Sequence, residues 1–259
     1  MSALTLTADQ IHSWVGLFMW PMFRIAGLFS ILPVLGGGEV PVRVRVGLAM
    51  LITIVIVPSL QSMPVVDPMS LESIYICLQQ LLIGVAMGLL VLMAFNAVTI
   101  AGESIAVTMG LGFALMNDPQ NGAQVPTVSQ FYLVLATLLF LSLDGHHAIL
   151  VLLNNSFTLM PVGKSLGADS FWILVSWGTT MFYGALAIAL PALAAMLTVN
   201  LIMGIITRAA PQLNIFSVGF PITMTVGFFA IMLTLPTFQF SFANLLELAQ
   251  SAVDQLLRS

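Results

Sequence analysis

Charge is what this sequence has least of: only 6% of its 259 residues are Asp, Glu, Lys or Arg, where a typical soluble domain carries about a quarter. Water is therefore not its main solvent. With 59% hydrophobic residues and a mean hydropathy of +1.09, the chain holds more apolar side chain than one core can hide, because even large soluble domains coat themselves with polar groups. The excess must face lipid or other subunits, which excludes a soluble enzyme. The six basic residues are scattered, with no Lys/Arg stripe to neutralise phosphates, so a nucleic-acid partner is excluded too. Cys77 is the single cysteine. It rules out an intrachain disulfide and a cysteine-based zinc site, and a lone cysteine in an apolar segment reads as core filling.

Histidine is almost as scarce. His146 and His147 are the two outside the N-terminal segment, and adjacent helical residues point about 100° apart, a poor chelating geometry beside an i, i+4 pair. They read instead as helix-capping or carbonyl-bound groups at the Leu143-Asp144-Gly145-His146 corner, and no metal ligands are predicted. Convergent nucleophile, base and orienting groups are missing as well, so no catalytic residue is predicted. No GxxxxGK[ST] or GxGxxG pattern occurs, and Gly110-Leu111-Gly112 is too short to cradle a phosphate. With no cofactor to draw on, energy would have to come from a partner or an ion gradient. Met1 to Gln10 lacks a basic region and contains Asp9, so the apolar stretch from Ile11 does not read as a cleavable signal. It is expected to stay as a first helix with Asp9 as its N-cap.

What the chain does have is apolar length. Runs at 11–35, 46–60, 73–101, 128–143, 146–160, 171–206 and 212–240 are separated by short polar or Pro/Gly punctuation. Three are easily long enough for a bilayer core, which takes about 20 residues of helix; the others are short or interrupted. Backbone groups in hydrocarbon must be bonded internally, so all should be helices, including the β-branched stretch Leu51 to Val57. Pro21, Pro191 and Pro221 fall inside runs: either they kink helices to fit a curved assembly, or neighbours simply re-satisfy the freed backbone. Gly84 and Gly88 form a GxxxG pair that would admit a close helix neighbour. Arg43, Arg45, Lys164 and Arg208 are too few to orient the chain by the positive-inside rule. Arg24 and Glu103 sit within or beside apolar runs, where they must either meet polar partners or reach water.

The segment from Met109 to Pro126 behaves differently. It opens with glycines among Leu111, Phe113, Leu115 and Met116, then turns polar at Asn117-Asp118-Pro119, a turn-forming sequence. A loop between two helices is expected, and its apolar half argues for burial inside protein, where irregular backbone at membrane depth is tolerated. A second corner is expected at Thr207 to Gln212, where Arg208 can complement the last turn of a helix and Pro211 discourages continuation. Together with Pro191 this corner, ending at Gln212, would set a bend in the C-terminal part.

Gly110-Leu111-Gly112-Phe113-Ala114 with Asp118-Pro119, Leu139-Phe140-Leu141 with Gly145-His146, Phe157 and Pro161-Val162-Gly163 form one set of signatures. Ala189-Leu190-Pro191, Asn200-Leu201, Gly204, Arg208, the run from Ala210 to Phe216, and Gly219-Phe220-Pro221 before Thr223 form another. Over nearly the whole chain these resemble the FliR family of flagellar export-gate proteins, the Ala-Pro-Gln-Leu-Asn-Ile-Phe run being the most specific part. The resemblance implies an all-α fold of bent helical hairpins in a membrane-associated export gate. Residues 1–185 would form a FliP-like portion carrying the pore loop 110–124, and residues 186–259 a FliQ-like hairpin. One copy would join about five FliP-like and about four FliQ-like chains in a helical, closed gate, contacted by FlhB-like and FlhA-like proteins. The setting would be the bacterial inner membrane and flagellar basal body, with lipid around the assembly and unfolded flagellar proteins as its cargo. On this reading many apolar faces meet sister subunits, whereas hydropathy alone points to lipid.

The same resemblance makes Gly110, Leu111, Gly112, Phe113, Ala114, Leu115, Met116, Asn117, Asp118 and Pro119 the plug of the resting pore, with apolar side chains keeping it dry. Two other readings remain open: the homologous gate subunit of a virulence injectisome, and a polytopic small-molecule or ion transporter. The transporter would need paired intramembrane charges and often an internal repeat, and the sequence shows neither.

Overall fold

Every described element is a helix, as the bonding of backbone groups in apolar surroundings requires, and no strand occurs among the described residues. The computed structural model describes residues 8–37, 40–60, 63–64, 66–111, 127–210 and 215–259, with side chains of 8–13 and 215–218 outside that description. The helices are α1 (Ala8–Ile31), the single turn α2 (Pro33–Gly36), α3 (Val42–Ile56) with the 3₁₀ turn Val57–Ser59, α4 (Leu71–Thr108), α5 (Thr127–Ser142), α6 (Gly145–Leu159), α7 (Ala168–Ala209) and α8 (Ile215–Arg258). Five are long and apolar enough to cross a membrane, or six if the broken pair α5–α6 counts as one span. The β-branched stretch after Leu51 is helical through Ile56, as expected.

Local chemistry sets the boundaries. At the start of α4, Asp67 accepts from Met69 N through its side chain at 3.0 Å. Ser70 then caps the helix by accepting from Ser73 N at 3.1 Å, with Glu72 in the first turn, where a negative charge favours the helix dipole. Between α5 and α6 the chain breaks at Asp144, whose φ of 54° lies in the left-handed region that Asp tolerates better than most residues. Pro21, Pro191 and Pro221 all lie inside continuous helices, as does Pro236. Asp9 falls within the first described turn of α1 and not at its cap. Arg43 and Arg45 are likewise inside the first turn of α3, and Arg45 donates back to Gly37 O at 3.1 Å and Val40 O at 3.3 Å.

The helices α4, α7 and α8 hold 38, 42 and 44 residues, about twice what one bilayer crossing uses. Each passes through both of the two compact units into which the chain divides: residues 1–93, 145–177 and 248–259 in the first, 94–144 and 178–247 in the second.

In the first unit α1 crosses the early part of α4 at backbone contact. A methyl built on Gly27 would lie 2.5 Å from Leu81 O, and one on Gly84 would overlap Arg24 O. The GxxxG pair thus admits a close neighbour within the chain itself, with Gly27 as its counterpart on α1. In the same unit the Ser170 and Ser259 hydroxyls sit 2.7 Å apart and join the start of α7 to the end of α8.

The second unit is centred on aromatic rings from α4, α5 and α8. Phe95 meets Phe140 and Phe242 edge-on at 5.6 and 5.3 Å, Tyr132 meets Phe238 at 5.0 Å, and Phe238 stacks on Phe242 at 6.0 Å. Such pairs contribute about 0.5–1.5 kcal/mol each beyond the area they bury.

Candidate functional site

Two clusters stand out, one in each unit. In the first, Arg24 on α1 is completely buried and meets polar partners, one of the two outcomes its place in an apolar run allowed. Its Nε donates to Gln80 Oε1 at 2.8 Å, its Nη1 to Ser156 O at 2.8 Å and Ser156 Oγ at 3.0 Å, and its Nη2 to Met160 O at 2.9 Å. The guanidinium also lies over the Phe157 ring, 4.4 Å from its centroid, a cation–π contact that gains strength when dry. All of these acceptors are neutral. A planar fork of five donors that stays protonated can be held this way, so one side chain ties α1, α4 and the end of α6 together. Glu103 is exposed on α4. Gln80, an amide in an otherwise apolar run, is the sequence signal that could have pointed to a partner for Arg24.

In the second unit the structure reaches the root of the 110–124 loop. Gly110 has φ 86°, its N–H bonds to Val107 O at 3.0 Å, and the Leu111 N–H bonds to Ala106 O at 3.0 Å. This double bond pattern closes a helix C-terminus on a left-handed residue, and glycine adopts that φ without strain. Both α7 and α8 reach the same place: Asn200 Nδ2 donates to Thr108 O at 3.5 Å and Thr223 Oγ1 to Met109 O at 3.4 Å. Beside it an apolar cavity of about 570 Å³ is lined by Leu111, Val128, Phe131, Met224, Phe228 and Ile231, among others. Leu111 is the last described residue before the loop and Thr127, also at the cavity wall, the first after it.

Of the expected plug residues, Gly110 and Leu111 are therefore seen at the loop root, while Gly112, Phe113, Ala114, Leu115, Met116, Asn117, Asp118 and Pro119 lie outside the described residues. Of the expected corner, Pro191 is exposed inside α7 and Arg208 is exposed in its last turn; Pro211 and Gln212 lie outside. His146 and His147 are exposed in the first turn of α6. No group of His, Cys, Asp and Glu suited to a metal occurs among the described residues. Met109, whose carbonyl accepts from Thr223 at the loop root, carries no polar signal in the sequence and was not singled out.

Residues 15–249 match the model for bacterial export proteins, family 1. The chain is 41% identical over 225 residues to the flagellar biosynthetic protein FliR of Escherichia coli, covering 86% of each. The chain belongs to the FliR family. Its FliR relatives include that of Pectobacterium carotovorum, 40% identical over 90% of this chain and 89% of the relative. Another is that of Bacillus subtilis, 30% identical over 93% and 94%. Membership in the FliR family implies a part in the flagellar export apparatus, and the helices long enough to cross a membrane agree with that setting.

Proposed function

We propose that this chain is a structural subunit of the closed flagellar export gate, with no catalytic step of its own, through which unfolded flagellar proteins leave the cytoplasm. The observation that carries this reading is apolar surface left uncovered on long helices. Only 17% of the span Val42–Ser59 is buried within the chain, against 61% of Leu71–Thr108, and Trp172, Val175, Tyr183, Leu201, Leu233 and Phe240 are all at least two-thirds exposed. Contiguous apolar faces of this kind mark surfaces meant for other proteins or lipid. FliP-like and FliQ-like subunits would cover them, with FlhB-like and FlhA-like proteins beside the gate at the bacterial inner membrane and the proton motive force as the energy source. Residues 1–185 would be the FliP-like part and 186–259 the FliQ-like hairpin, turned at the corner of Pro191, Arg208, Pro211 and Gln212.

Within that assembly, residues 110–124 would plug the pore. A channel wide enough for an unfolded chain must hold ions back at rest, and an apolar loop does so by giving water few favourable partners. Two experiments test the reading. Co-expression with FliP-like and FliQ-like partners should give a complex that survives mild detergent, whereas a monodisperse, stable chain purified alone would remove its physical basis. Deleting 112–120 in an assembled gate should make cells leak ions; a complex still tight after that deletion would sink the plug.

A further inference from the structure

We propose that the seat of Met109 on Gly227 is a positioning element that fixes where the loop leaves α4. Its consequence for sealing rests on the plug reading above; its geometry does not. Met109 follows directly on the last residue of α4 and is fully buried. Its side chain occupies the space a Cβ would need at Gly227 on α8: a methyl there would lie 2.5 Å from Met109 Cγ, 2.7 Å from Cε and 2.8 Å from Sδ. Any side chain added at Gly227 must displace that of Met109. Helices α7 and α8 add two bonds to the last carbonyls of α4, which a helix end leaves without partners: Asn200 to Thr108 O at 3.5 Å and Thr223 to Met109 O at 3.4 Å. Both are long, and such bonds weaken steeply with distance, so the apolar seat carries most of the hold.

The seat acts on direction. Once Met109 is fixed, Gly110 at φ 86° and the two bonds that close α4 determine where Leu111 points, and hence where the loop begins. Met224 and Phe228, which flank Gly227 in sequence, line the apolar cavity with Leu111. A Met109 displaced from Gly227 would have this cavity close by.

The test uses the full chain assembled with its FliP-like and FliQ-like partners. Gly227→Val and Met109→Ala should each leave complex yield unchanged and raise ion leak about tenfold or more, the shift expected from overpacking or emptying a close contact. Met109→Ala with Gly227→Val should return the leak toward the parent value, because the valine fills the vacated seat. Normal yield with no leak in either single variant, or lowered yield without leak, would reduce the seat to an ordinary core contact and overturn the proposal. If Gly227→Val fails to assemble, Met109→Cys with Gly227→Cys in a Cys77→Ser background should form a disulfide in membranes under mild oxidant, and absence of that bond overturns the geometry. Leak after deletion of 112–120 with both single variants tight would refute the seat and spare the plug; tightness after deletion refutes the plug itself.

Discussion

Replacing Arg24 with methionine keeps most of the stem volume and removes the charged fork, so the outcome turns on which acceptors are stranded. Ser156 O still accepts from Met160 N at 2.9 Å, and Ser156 Oγ still donates to Leu153 O at 2.7 Å. Gln80 Oε1 and Met160 O lose the partner Arg24 gave them. At about 1–3 kcal/mol for each buried orphan, the loss is about 2–6 kcal/mol, a large share of the 5–15 kcal/mol typical of whole domains. For a chain of this size it corresponds to roughly 5–20 °C in the midpoint of thermal unfolding, measured on the complex in mild detergent. Arg24→Met with Gln80→Leu removes one of the two orphans and should regain about 1–3 kcal/mol, a coupling that a double-mutant cycle isolates. Arg24→Glu should be worse than methionine, because it would bury a carboxylate against the Ser156 and Met160 carbonyl oxygens with no cation to pair it. Parent-like midpoints for both Arg24→Met and Arg24→Glu would refute the account of Arg24 as a clamp on α1, α4 and α6.

Three further outcomes follow from the packing. Gly84→Ala should lower the unfolding midpoint and the yield of complex, because the added methyl overlaps Arg24 O, whereas Gly178→Ala, with nothing within 4 Å of the new atom, should leave both within error. Phe95→Ala, which strips two edge-on partners from the core of the second unit, should cost about 3–5 kcal/mol, read as loss of folded chain after detergent extraction. Arg208→Glu reverses a charge in the last turn of α7, where a cation suits the helix dipole, and should reduce partner assembly and swimming; unchanged complex yield and motility would show that Arg208 serves neither.

The features that follow from composition and spacing were legible in the sequence. Helices throughout, the stop at Gly110, the contact made by Gly84 and the need for polar company around Arg24 are local or solvent-driven consequences of residue type, and the structure reports each of them. Partners are a different matter. Nothing in the spacing of residues 24, 80 and 156 says that they meet, since each is separated from the next by more than 50 residues and the meeting depends on how α1, α4 and α6 cross. The resemblance drew attention to the loop from 110 onward, but its root is seated by Met109 and Gly227, two residues more than 100 positions apart. An apolar side chain and a glycine in apolar helices look like thousands of others; only the approach of α8 to the end of α4 makes one the seat of the other. The sequence by itself determined the solvent, the helices and the family, because these depend on side-chain chemistry summed along the chain. Tertiary structure alone decided which residues touch, because helix crossings bring together positions that no local period connects.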